Sequence, residues 1–169
     1  KAGIWCYEME QYDKAEALYQ NAITCYQLLY QDDKDMMEKV CAGVEINLGI
    51  LHYDQKQYEK CVYYFERANL ALNGKYNDYL LPALNSLAYQ FAEDSNYDDA
   101  IAAIDKAIKI KPTEANYYDT KGEILMMKGD VQKALLVWKK VLECNPNFVS
   151  DTKGRSELYK KLKEQKLIE

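Results

Sequence analysis

The chain has 169 residues, enough for one domain with a real core. With 49% apolar and 29% charged residues it is not a disordered chain, and no run of eighteen residues is free of polar side chains, which excludes a membrane-spanning helix. A net charge of −5 excludes a whole-chain basic footprint for nucleic acid. Only 3 Pro and 7 Gly occur, which argues for long helices over a turn-rich β domain, and 16 Tyr stand against 3 Phe.

Small residues set a ruler along the chain. Gly3 and Ala15 are twelve apart, as are Gly49 and Cys61, Ala88 and Ala100, and Gly122 and Ala134. Four residues after each second small residue comes a large one: Tyr19, Phe65, Ile104 and Trp138. Three before it sits Tyr12, Tyr58, Tyr97 or Val131. The pattern predicts helical hairpins, because a small residue on each helix lets two backbones approach and the large residue one turn on fills the space beside the contact.

In chain order the predicted breaks within hairpins are Met9-Glu10-Gln11, Gln55-Lys56-Gln57, Asp94-Ser95-Asn96 and Lys128-Gly129-Asp130. Gly129 suits the C′ position of one helix and Asp130 the N-cap of the next. Pro112 and Pro146 each stop a second helix. Ala15 and Cys61 are 46 positions apart and Cys61 and Ala100 are 39 apart, so the extra length falls between hairpins. Gln20 to Tyr30 holds no breaker, and apolar residues continue at Met36, Met37, Val40 and Val44 beyond Asp32-Asp33. Lengthened helices are therefore expected; about six extra residues per helix would project about 9 Å.

These markers resemble the tetratricopeptide repeat, a helix–turn–helix unit. The positions that carry the resemblance are Tyr118, Gly122, Leu125, Gly129, Ala134, Trp138, Val141 and Pro146, and again Leu84, Leu87, Ala88, Phe91, Tyr97, Ala100, Ile104, Ala107 and Pro112. The two sets are 34 residues apart at each shared marker. The resemblance implies an all-α, right-handed superhelical solenoid of antiparallel helix-turn-helix repeats with a C-terminal capping helix. The expected organisation is a single domain over 1–169: a partial repeat at 1–29, extended helices at 30–41, repeats at 42–75, 81–114 and 115–148, a short insertion at 76–80 and the cap at 149–169. Lys121 departs from the pattern, standing where Leu is usual, and predicts a more solvated end to the fourth hairpin. The body over 1–148 carries 16 basic and 23 acidic residues, so it is more acidic than the whole chain.

The five cysteines, Cys6, Cys25, Cys41, Cys61 and Cys144, are odd in number and show no C-x-x-C spacing. They read as free, mostly buried thiols, with neither a disulfide framework nor a zinc site. Free thiols and the absence of a leader favour a cytoplasmic location, and the start at Lys1 reads as a fragment of a larger chain. One His and no nucleophile motif leave no basis for a catalytic triad, so no enzyme, cofactor or metal site is expected. His52 falls at an interior position of its hairpin and is expected to be a hydrogen-bonded core residue.

The resemblance places a concave groove on the first helix of each hairpin. Its inward positions map to Tyr7, then Ile46, Asn47, Ile50, Tyr53 and Asp54, then Asn85, Tyr89 and Glu93, then Asn116, Asp119, Glu123 and Met127, with Ile4, Glu8, Ser86, Ala92, Thr120 and Met126 beside them. Asn amides can pair with a peptide backbone, and Tyr and Ile supply apolar contact. The Lys/Asn/Arg clamp that some members of the family use for a terminal carboxylate is missing, because Ile46, Asn116 and Thr120 hold its basic positions. The expected function is a non-catalytic scaffold that binds a peptide or partner domain, neutral or basic, with no nucleic acid and no membrane. The alternatives are a regulatory or sensory arm of a larger protein, or a self-association module that forms a homodimer through Ile4 and Trp5.

Overall fold

The computed structural model describes residues 1–148, and every secondary-structure element among them is an α-helix. In order these are α1 (Ala2–Glu8), α2 (Tyr12–Leu29), α3 (Lys34–Asp54), α4 (Tyr58–Ala71), α5 (Asn77–Glu93), α6 (Tyr97–Ile110), α7 (Ala115–Lys128) and α8 (Val131–Cys144). The expected capping helix at 149–169 lies outside the described residues. The chain divides into two compact units, the first covering Lys1–Ala83 and the second beginning at Leu84, so the division falls inside α5.

Each predicted break is a helix-to-helix turn of one design. Glu10, Lys56, Ser95 and Gly129 all take left-handed backbone, with φ of 56°, 59°, 62° and 91°. The next amide in each turn donates back to the helix before it: Gln11 to the Cys6 carbonyl at 2.9 Å, and Gln57 to His52, Asn96 to Phe91 and Asp130 to Leu125, each at 2.8 Å. The left-handed residue donates to Tyr7, Tyr53, Ala92 or Met126. This is the Schellman pairing, which satisfies carbonyls that a helix end leaves open. Gly129 thus stands where the sequence placed it. Asp130 takes the N-cap position, but its carboxylate makes no cap hydrogen bond and pairs with Lys133 at 2.9 Å instead.

The small-to-large ruler is a packing contact. A Cβ built on Gly3 would lie 2.7 Å from the Tyr19 ring, and one on Gly49 would lie 2.5 Å from Phe65. At Gly122 it would collide with the Trp138 indole. Where the ruler holds Ala88, the large residue is aliphatic Ile104, and both are fully buried. Glycine therefore goes with a flat ring laid on the backbone.

The first unit has two further features. α2 and α3 run to 18 and 21 residues, against 14 for α4, α6, α7 and α8. Asp33 caps α3 by accepting from the Met36 amide at 3.0 Å, so the Asp32-Asp33 break is a tight corner between two long helices. Between α4 and α5, buried Asn69 accepts from the Tyr76 backbone amide through Oδ1 at 2.7 Å and donates from Nδ2 to Asn77 Oδ1 at 3.3 Å. α5 consequently starts at Asn77, and residues 77–80 form its first turn, with Pro82 inside the helix.

The core of the first unit includes Cys6, Ala15, Tyr19, Ile23, Cys41, Leu48 and Leu51. That of the second includes Ala115, Leu125, Ala134, Trp138, Val141 and Leu142. Five cysteines are free; Cys6, Cys41 and Cys61 are buried, Cys144 is half-buried and Cys25 is exposed. Burial pushes the Cys61 thiol up to about 12, which keeps it protonated and inert. His52 is fully buried, its Nδ1 3.0 Å from the Gln57 side-chain oxygen and its ring stacked on Tyr64 at 5.4 Å. Lys121 does not loosen its hairpin. Its ammonium reaches both oxygens of Asp105 at 2.7 and 2.9 Å, tying α7 to α6.

Candidate functional site

In the first unit the groove positions sit on α1 and α3. Tyr7 donates its hydroxyl to the Asp54 carboxylate, joining the two helices. That hydrogen bond, with burial and the carboxylate charge, raises the Tyr7 phenol to about 12. Ile46 is 8% exposed and belongs to the interior, so it offers little surface. Asn47 is half-buried and donates to the Gly43 carbonyl of its own helix at 3.1 Å. Ile50 and Tyr53 are half-buried, and Tyr53 packs edge-on against Tyr58 at 5.5 Å.

Ile50 and Tyr53 form part of a cavity of about 330 Å³, completed by Phe65, Asp78, Tyr79 and Pro82. The last four are absent from the sequence-based site. Asp78, Tyr79 and Pro82 lie in or beside the 76–80 segment, which the 34-residue spacing assigns to no repeat. The signal that could have found them is Asn77-Asp78 as a helix start, since acidic residues favour a first turn. Phe65 reaches the cavity because Gly49 lets its ring lie flat, and the ring continues to Tyr79 at 5.8 Å between centroids.

In the second unit the groove positions sit on α5 and α7, and four of them form a chain. Thr120 donates to Asn85 Oδ1 at 2.9 Å and lies 3.3 Å from the Tyr89 hydroxyl, which donates to Glu123 Oε2 at 2.9 Å. Asp119 and Thr120 are buried, and Ala92 is buried too. Asn116 is exposed and donates to Glu114 at 3.1 Å. Glu93 is exposed, as are Met126 and Met127.

The two units share one device. In each, a tyrosine on one first helix clasps a carboxylate on the first helix of the next hairpin: Tyr7 with Asp54, and Tyr89 with Glu123. Such a pair holds a carboxylate in fixed position.

A second, smaller cavity of about 150 Å³ lies in the first unit between Gln27, Met37, Glu38, Cys41, Glu45, Arg67, Leu70 and Ala71. Glu45 is buried and lies 2.6 Å from the Arg67 guanidinium. Burial raises the Glu45 carboxyl and the Arg67 charge opposes that rise. Among the described residues no group of three or more His, Cys, Asp and Glu side chains is placed to hold a metal ion, and no helix is long and apolar enough to cross a membrane.

No family model matches the chain, and no curated protein matches it. Among solved structures it is similar to the MamA RS-1 ArsTM double mutant, with 20% identity, coverage of 88% of this chain and 74% of that one, and a TM-score of 0.49. It is also similar to the TPR2AB-domain:pHSP90 complex of yeast Sti1, with 16% identity, coverage of 98% and 81%, and a TM-score of 0.38. The class of fold follows from the chain's own geometry. Paired helices joined by a Schellman turn, three of the four pairs with a glycine-to-ring contact, are helical hairpins, the all-α fold that the sequence's resemblance to the tetratricopeptide repeat implies.

Proposed function

We propose that this chain is a protein-interaction module that holds a peptide segment or partner domain on the first helices of its hairpins. The observation that carries the reading is the pair of tyrosine–carboxylate clasps, each spanning two first helices and each beside tyrosine and amide groups suited to a peptide. Groups pre-positioned by their own hydrogen bonds lose little freedom on binding. The partner favoured by charge is neutral or basic, because the inward positions hold Glu8, Asp54, Glu93, Asp119 and Glu123 and no Lys or Arg.

The test compares the chain with its Tyr53→Ala/Tyr89→Ala variant in affinity capture, followed by titration with synthetic peptides from the captured partners. Partners that bind the chain and not the variant support the reading. Partners retained equally by both remove it.

A second reading has its own observation. Trp5 is 59% exposed, and Ile4 and Met9 are exposed beside it, which suits self-association through α1. Sedimentation that shows dimers of the chain and monomers of Trp5→Ser supports this reading; a monomer at high concentration removes it.

A further inference from the structure

We propose that the larger cavity of the first unit is an anchor subsite for one large apolar side chain, of leucine or phenylalanine size, in a peptide that carries Lys or Arg next to it. The inference rests on the peptide-binding reading above and names the ligand class of that site. The cavity, at about 330 Å³, lies at the low end of the roughly 300–1,000 Å³ span of small-ligand pockets, so it accepts one side chain with its flanking atoms and not a folded surface. Ile50, Tyr53, Phe65, Tyr79 and Pro82 make its walls apolar and aromatic. These walls are held before any ligand arrives. Phe65 is fixed by Gly49, Tyr79 packs on Phe65, and Tyr53 is braced edge-on by Tyr58.

The flanking charge follows from what is present at the same place. Asp78 is the one charged residue that lines the cavity, and it is exposed. Pro82 stands four residues on in the same helix and has no N–H to give to the Asp78 carbonyl, so a second oxygen lacks its helical donor there. Aromatic faces and a carboxylate both attract a cation. An acidic peptide would be repelled by Asp78. A wholly polar one would leave the apolar walls unmatched.

The experiment uses a library of end-capped octapeptides, screened against the chain and its Asp78→Asn, Tyr79→Ala and Tyr89→Ala variants, with helix content checked by circular dichroism. Asp78 and Tyr79 are exposed, so these variants keep the fold. The expected result is that retained peptides share Leu, Ile, Met or Phe beside Lys or Arg. Changing that apolar residue to Ala weakens binding about tenfold or more. Asp78→Asn erases the preference for the basic neighbour, and Tyr79→Ala weakens the apolar one. The proposal is overturned if retained peptides are acidic or lack an apolar position, or if Asp78→Asn and Tyr79→Ala bind them unchanged. Peptides lost only in Tyr89→Ala overturn this subsite and leave the interaction reading standing. Peptides retained by no form of the protein remove the interaction reading itself. Dimers of the chain alone that vanish in Tyr79→Ala identify a second copy as the occupant and overturn the peptide assignment.

Discussion

Gly122 of α7 lies directly beneath the Trp138 indole of α8, so close that no side-chain carbon fits between them. The same separation of sixteen residues joins Gly3 to Tyr19 and Gly49 to Phe65. Gly122→Ala must push the indole or part the helices, and Trp138 is buried and cannot move outward. Overpacking of this kind costs about 1–3 kcal/mol. In urea unfolding the midpoint is expected to fall, with the tryptophan emission of the folded state altered. An unchanged midpoint would show that the hairpin accommodates the methyl group.

The turns predict the opposite sign. Ser95 holds a left-handed backbone that costs an L-residue about 1–2 kcal/mol, and glycine at that place carries an entropy penalty of about 0.5–1 kcal/mol. Ser95→Gly is therefore expected to stabilise by up to about 1 kcal/mol, and Gly129→Ala to destabilise by a similar amount. Thermal unfolding of the two variants checks the pair, and the idea fails if both shift in the same direction.

Arg67 is the counter-charge for buried Glu45. Removing it in Arg67→Gln leaves the carboxylate desolvated and unpaired, which costs up to about 3–5 kcal/mol at a fully buried site and less here because Arg67 is itself exposed. The Glu45 pKa is already raised, so the protonated form is the one that folding prefers. Its contribution is fully present below the unfolded carboxyl pKa and is lost as pH rises through the folded value. Arg67→Gln should therefore recover stability on acidification, and Glu45→Gln/Arg67→Gln should recover it at neutral pH. Urea midpoints across a pH series measure both effects.

His52 titrates in the other sense. Burial lowers its pKa, with Glu16 opposing and Lys60 reinforcing that shift. A lowered folded pKa contributes stability above the unfolded value of about 6.5, lost as pH falls through the folded one. His52 is the sole histidine, so its ring resonances report the titration without ambiguity. They are expected to move only below the pH at which a free imidazole titrates. A midpoint at or above the ordinary value would contradict a buried neutral ring.

Tyr7 supplies a test of its clasp. Its phenol, raised to about 12 chiefly by the hydrogen bond to Asp54, keeps its proton above the pH of about 10 at which a free phenol ionises. The stability it lends is complete below about pH 10 and is lost as pH rises towards 12. The tyrosinate absorbance difference between the chain and Tyr7→Phe isolates this residue, and Asp54→Asn should bring its midpoint down. A midpoint unaffected by Asp54→Asn would mean that the hydrogen bond is not formed in solution.

The hairpins were legible because their signals are local. A small residue, a large residue four positions after its partner and a break between them lie within about twenty residues, and each must be there for two helices to touch. The turns were legible only in part. Gly129 announces a left-handed residue, whereas Glu10, Lys56 and Ser95 adopt the same backbone with side chains that give no hint of it. The exposure of Ile46 and the partners of the groove residues were not legible, because they depend on helices from separate hairpins. Tyr7 and Asp54 are 47 residues apart, and Tyr89 and Glu123 are 34 apart. The six residues of the apolar cavity come from three helices, and half of them lie in or beside a segment that repeat spacing leaves unassigned.

Composition and spacing thus determined an all-α chain of paired helices, since period, glycine placement and breakers act within one hairpin. Tertiary packing alone decided which groove side chains clasp one another, which sink into the core and where an apolar cavity opens. Those outcomes depend on contacts between residues 47 and 34 apart, on helices of separate hairpins, which no pattern within one hairpin specifies.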